Sequence, residues 1–220
     1  MFGFFSQIAL AHGRRFVHTP VTLPVAGSVE LSRRELLATG LALAAGAAGT
    51  ARAAETNVLR LSFRGTAFVH RWSKSDQHEF TPAPDSDLKS WRDMITLNLH
   101  AKVRQGEQLA DVANQVLSNY QAHGKLLQTR STPRTATRPA EHLMVAVLGT
   151  PQLLEASFAR CLLQDGVGLV AVVSHRVGGP AAGPEMNRWL ATQGQATGEA
   201  LMAWATLPSP ARLNSLPRAA

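Results

Sequence analysis

Apolar and polar positions follow different rules in different parts of the chain. Residues 36–49 form an uncharged run rich in Ala, Gly and Leu, placed directly behind Arg33-Arg34. From residue 58 the pattern changes to short alternating segments, the signature of half-buried strands. Residues 58–64 set Leu59, Leu61 and Phe63 against Arg60, Ser62 and Arg64; Gly65 turns the chain, and residues 66–72 alternate again with Phe68, His70 and Trp72 in phase. Together they predict a hairpin. Residues 73–90 carry Pro82, Pro84 and four acidic side chains and read as a long loop. A strand over 91–100 follows, with Ile95, Leu97 and Leu99 on one face.

Between residues 107 and 123 the period becomes helical: Leu109, Ala113, Val116, Leu117 and Tyr120 form one stripe, led by Gly106 and closed by Gly124 in the C′ position. Residues 125–131 are a further strand, and 132–139, bounded by two prolines, a loop. Three strands are predicted next, over 141–148, 154–164 and 167–177, with Asp165-Gly166 as a tight turn between the last two. In the first of these both faces are apolar, which implies cover on both sides. Two short helices are expected at 185–192 and 196–204, and a loose tail from Pro208. The sum is an α+β domain over residues 54–207: a mostly antiparallel sheet with helices on both faces, followed by a flexible tail over 208–220.

The opening quarter reads differently. Ser32-Arg33-Arg34-Glu35-Leu36-Leu37 and the run behind it have the charge and length of a signal peptide over 32–53, too short for a relaxed span of a ~30 Å hydrocarbon core. Ala51 and Ala53 offer the small side chains a signal peptidase accepts, which places the cut before Ala54. The arginine pair with Leu36 and Leu37, and a weakly apolar core, resemble twin-arginine (Tat) signals, read by a translocase rather than used as anchors. Residues 1–31 are long and mixed, and fit a disordered or mis-assigned extension, with translation starting near Val29.

This reading changes the charge picture. The whole chain has 22 basic and 15 acidic side chains. Without residues 1–53 the balance is 17 to 13, or +4, on 167 residues, which is no nucleic-acid signature. Cys161 is the one cysteine, so no disulfide forms within the chain. Nothing of membrane-spanning length remains after cleavage.

No catalytic motif is present, and no cofactor or resident metal is expected. His142, Cys161 and His175 lie on three successive strands, a set that would hold copper or zinc, or pair a thiol with a base, if all three shared a face. The bland alternative is a buried cysteine and hydrogen-bonded core histidines. Glu141 and Arg176 are charges beside apolar strands and are expected to pair. Arg130, Arg134 and Arg138 recur through a Ser/Thr/Pro segment and could gather a small anion.

Trp91-Arg92-Asp93-Met94, the helix lead Gly106-Glu107-Gln108-Leu109-Ala110, and Pro139-Ala140-Glu141-His142-Leu143, in this element order, resemble the PsbP/Mog-type α/β/α sandwich superfamily and its periplasmic DcrB-like members, over residues 58–204. The resemblance implies an antiparallel sheet between helices, acting without cofactor or catalysis, and carries over no functional residue. The expected function is a soluble periplasmic binding or accessory module. The alternatives are a metal- or His-dependent enzyme using His142, His175 and Glu141, and a partner for an envelope protein. Converting Arg33→Lys and Arg34→Lys together is expected to leave the precursor in the cytoplasm and remove the product beginning at Ala54 from the periplasm, read by immunoblotting of cell fractions.

Overall fold

Two-residue turns close the hairpins that frame the sheet. In the computed structural model, which describes residues 58–219, Arg64 and Gly65 have φ of 48° and 77°, and Asp165 and Gly166 have 49° and 74°. Two successive left-handed residues give the turn whose twist matches antiparallel strands. β1 (Arg60–Phe63), β2 (Thr66–Lys74), β3 (Gln77–Pro82) and β4 (Asp93–His100) form one meander; β5 (Gly124–Thr132), β6 (Glu141–Thr150), β7 (Leu153–Gln164) and β8 (Val167–Gly178) form a second. β4 pairs with β8, giving one antiparallel sheet in the order β1-β2-β3-β4-β8-β7-β6-β5.

The crossover from β4 to the far edge is α1 (Gly106–His123). Gln108 starts it by accepting the backbone N–H groups of Arg104 (2.7 Å) and Gln105 (3.2 Å). Its apolar stripe buries Leu109, Val112, Ala113 and Tyr120 against Met144, Ala146, Ala159, Cys161 and Val170. The opposite face receives α2 (Ala182–Trp189), a π-helical turn (Leu190–Gly194), α3 (Gln195–Ala203) and α4 (Pro210–Asn214). There Met186, Leu201, Trp204 and Leu213 meet Phe63, Phe80, Leu97, Phe158 and Leu169. The buried Arg160 ties sheet to helix: its guanidinium meets Glu141 at 2.7 Å and donates to the carbonyls of Leu201 and Trp204 at the end of α3. With Nε also donating to Glu141 Oε2 at 2.9 Å, four contacts around one cation offset the cost of taking it out of water.

The expected sandwich is corrected. Strand accounts for 43% of the described residues and helix for 28%, so the molecule is one eight-stranded antiparallel sheet with helices attached, not a sheet between two helical layers. α1 lies mainly against β5, β6 and β7, and the short C-terminal helices mainly against β6, β7 and β8. The reason is visible in β1 to β4. Their second face carries Arg60, Ser62, Lys74, Gln77, Thr96 and Asn98, which water can solvate without helical cover.

Smaller expectations also shift. β3 occupies part of the expected 73–90 loop, because Ser75 adopts a φ of 52° and turns the chain back. Gly124 is extended, not a left-handed helix end, and it starts β5; a Cβ there would run into the Val147 carbonyl. The two short helices merge into one helical run, with the π turn taking up the extra residue. Residues from Pro208 are packed: Leu213 and Leu216 are buried, Ala219 N–H donates to the Ser73 carbonyl at 2.7 Å, and Arg218 bonds the Ser75 carbonyl. The extension 1–31, Arg33, Arg34, Leu36, Leu37 and the Ala51, Ala53, Ala54 cleavage site lie outside the described residues. Among the described residues no helix is long and apolar enough to cross a membrane.

Leu213→Ala should lower stability by about 2–5 kcal/mol in urea unfolding, the range for a buried leucine. A loose tail would give less than about 0.5 kcal/mol.

Candidate functional site

The β4–β8 register sets Asp93 opposite His175, on the face that meets the C-terminal helices. His175 Nδ1–H donates to Asp93 Oδ1 at 2.8 Å, and the ring lies flat on the Trp189 indole, 4.2 Å between centroids with 2° between planes. Trp189 in turn stands edge-on to Phe158 at 6.0 Å. His175 is therefore held on two sides, by a carboxylate and by an indole, and is 7% exposed.

Arg176, the next residue, points to the other face. Its guanidinium carbon lies 3.8 Å over the Trp91 ring, and Nη2 donates to Glu155 at 3.3 Å. Its Nε is buried without a partner. Consecutive residues of β8 thus present a ring and a guanidinium on either side of the strand end, each stacked on a tryptophan from a different element.

Between them opens a cleft of about 680 Å³, lined by the segment ahead of β4, Leu153 at the start of β7, the exit of β8 and the helical run around Trp189. Lys89, Arg92, Arg176 and Arg188 contribute four cations to its wall, and Glu185 is the one lining carboxylate. Lys89, Arg92 and Arg188 are exposed and make no salt bridge with another described residue. Such a wall attracts anions, and clefts with low-dielectric sides focus that field. A smaller hollow of about 150 Å³ shares His175 and Trp189 with the cleft. Arg64 lines it, held by Thr197 Oγ1 at 2.8 Å and by Gln193 Oε1 of the π turn at 3.0 Å.

The residues singled out in the sequence divide into separate places. His175 and Arg176 belong to the cleft. His142 and Cys161 are register partners on the face under α1, opposite to His175, so the three do not converge. Cys161 is fully buried, and burial pushes its thiol up to about 12, which leaves no thiolate at neutral pH. His142 bonds Ser131 at 2.9 Å, and burial lowers its pKa. Glu141 pairs with Arg160, not with Arg176. Along the ladder His175 is level with Ala156 and Val147, so Glu141 stands six residues away on β6, about 20 Å at strand rise. Arg130, Arg134 and Arg138 are on β5 and the loop beyond it, apart from the cleft. Among the described residues no three His, Cys, Asp or Glu side chains gather as a metal site.

Asp93, Lys89 and Arg188 escaped the sequence reading, and Trp189 entered it only as one of four scattered core or groove-lining tryptophans. Their local signal was slight: an acid one residue past Trp91-Arg92, and an Arg-Trp pair on a helix. Only the β4–β8 pairing and the helix docking bring them to His175.

A second polar group lies beneath the C-terminal segment. Ser73 Oγ sits between His70 Nε2 (2.7 Å) and His78 Nδ1 (2.8 Å), donating to one ring and accepting from the other. His78 is fully buried and its Nε2 has no partner. Burial, with the charges of His70 and Arg218, pushes His78 down to about 4, and burial lowers His70 as well.

No protein-family profile and no curated protein matches the chain. Nothing in these comparisons identifies the PsbP/Mog-type superfamily.

The depressed His78 pKa fixes a pH dependence. The folded state favours the neutral ring, so its contribution is complete above the unfolded value near 6.5 and drains away as pH falls toward 4. Stability should drop across that window by about 3 kcal/mol from this ring. His78→Gln, which cannot titrate, should show a shallower fall in urea-unfolding free energy from pH 7 to pH 4.

Proposed function

We propose that this chain is an exported periplasmic binding module without catalytic activity, and that its ligand is a small anion with a flat apolar part. The carrying observation is the cleft: four cations face one carboxylate on its wall, and two indoles, Trp91 and Trp189, flank it. Its volume of about 680 Å³ falls within the range of small-molecule sites, roughly 300–1,000 Å³. Guanidinium groups such as Arg92 and Arg188 have donors free for a carboxylate, sulfonate or phosphate. The indole walls favour a planar body over a bare inorganic ion. Arg176 and His175 are already stacked and bonded, so the walls need little reordering when a ligand arrives, which lowers the entropic cost of binding. Export rests on Arg33-Arg34 and the run behind it; the twin-arginine translocase is the partner during transport.

One observation favours an enzyme instead: His175 hydrogen-bonded to Asp93 beside a cleft is the arrangement of an oriented general base. The hydroxyls that line the cleft are engaged elsewhere: Ser90 donates to Asp87 Oδ2 at 3.0 Å and Thr192 to the Arg188 carbonyl at 3.0 Å. Ser174 points to the opposite face, and the Thr197 hydroxyl already accepts from Arg64. His142 and Glu141 stand too far off to assist. Binding accounts for the cleft with fewer additions.

Isothermal titration with naphthalene-2-sulfonate, benzoate and sulfate distinguishes the terms. The naphthalene sulfonate should bind tightest and sulfate weakest. Arg188→Glu, at an exposed position, should weaken the sulfonate at least tenfold without moving the unfolding midpoint. Equal affinity in native and Arg188→Glu protein would place the ligand elsewhere.

A further inference from the structure

The two edges of the sheet are built differently. β1 is four residues long, which leaves little backbone to template another strand. β5 is nine residues long, contains no proline, and among the described residues has no strand on its outer side. A bulge lies between Leu126 and Gln128; from Gln128 to Thr132 the register with β6 is unbroken, so this half of the strand offers a regular line of outward N–H and C=O groups. Leu127, at the bulge, is 41% exposed.

The charge around this edge has one sign. Lys125 and Arg130 lie on β5, and Arg134 and Arg138 on the loop that follows. None of the four makes a salt bridge with another described residue. The loop is shaped: Thr135 N–H donates to the Arg138 carbonyl at 2.8 Å, and the Thr135 hydroxyl accepts from the N–H groups of Thr137 and Arg138. That turn keeps Arg134 and Arg138 close together, just beyond the end of the regular half of the strand. The nearby carboxylate, Glu141, is already taken by Arg160.

We propose that β5 is a docking edge for an extended acidic segment of another protein, which adds to the sheet as a ninth strand along Gln128–Thr132 with its carboxylates against Arg130, Arg134 and Arg138. Main-chain bonds would supply the pairing and the cations the choice of partner. Two other occupants are disfavoured by charge. A second copy paired antiparallel over Gln128–Thr132 centres on Arg130 and sets it against itself. The chain's own residues 1–57 hold five arginines against three glutamates, the same sign as the edge. Lys125 and the bulge also discourage uncontrolled edge pairing, which suits an edge reserved for one kind of strand. This surface is separate from the cleft, so either assignment can fail alone.

The test uses the purified chain and a fluorescein-labelled peptide alternating glutamate and valine over seven residues. Anisotropy should rise saturably, and hydrogen exchange should slow at least fivefold at residues 128–132. The triple variant Arg130→Glu, Arg134→Glu, Arg138→Glu, with Arg134 and Arg138 exposed and Arg130 half-buried, should weaken binding at least tenfold with an unchanged circular dichroism spectrum. A peptide of the same charge alternating glutamate and proline, which cannot pair as a strand, should bind at least tenfold more weakly. No binding, binding without protection of β5, or equal binding of the proline peptide would each overturn the proposal. Equal protection by phosphatidylglycerol vesicles would do the same and assign the edge to a lipid surface.

Discussion

Everything in this fold leans on the ladder between β4 and β8. Each four-stranded meander is a local product of hairpin turns, and each alone would expose an apolar face. The ladder, running residue for residue from Asp93 opposite His175 to His100 opposite Gly168, joins them into one sheet with one continuous core. Ile95, Leu97 and Leu99 then stand beside Val173, Ala171 and Leu169, which makes the centre of the sheet its most fully buried part. Burial of that kind scales with the apolar area removed from water, and it is available only once the two halves have met. The same ladder places a carboxylate beside an imidazole at the mouth of the cleft.

Polar groups in the interior come in closed sets, and each set joins elements distant in sequence. Arg160 links β7 to β6 and to the end of α3. Tyr120 on α1 shares a 2.6 Å hydrogen bond with Ser157 on β7, and burial pushes its hydroxyl up to about 12, so it serves as a neutral hydrogen-bonding group. Ser73 bridges two histidines while its own carbonyl holds Ala219 N–H near the chain's end. Buried polar atoms are costly unless matched, so these contacts select one docking of helix on sheet among the many that apolar contact alone would tolerate. Among the described residues the unmatched atoms are His78 Nε2 and Arg176 Nε, and the first lies on a ring whose lowered pKa makes that corner acid-sensitive.

The two surfaces proposed for recognition differ in their physics. The cleft is made of side chains from four separate segments and suits a compact ligand. The β5 edge is made of backbone with a basic fringe and suits an extended chain. Cations that make no salt bridge with another described residue stand at both, Lys89, Arg92 and Arg188 at the cleft and Lys125, Arg130, Arg134 and Arg138 at the edge.

Much of the secondary structure was legible from period alone. Strict alternation marked β1, β2 and β4, a 3.6-residue stripe marked α1, and Asp165-Gly166 marked the turn between β7 and β8. β3 was not legible, because two of its buried positions are His78 and Thr81, polar residues that are inside only because Ser73 and Arg71 meet them there. The packed C-terminus was hidden in the same way, since Leu213 and Leu216 are isolated among prolines and arginines and have no periodic company. Alternation assigns each residue to a face of its own strand, and that much the amino-acid order determined. It does not say which strands adjoin or in what register. Shifting a register by one residue exchanges the faces, and this is why His142 and Cys161 ended opposite to His175, and why Glu141 met Arg160 rather than Arg176. Only the assembled sheet, by burying apolar area that no single hairpin can bury, decided those partners.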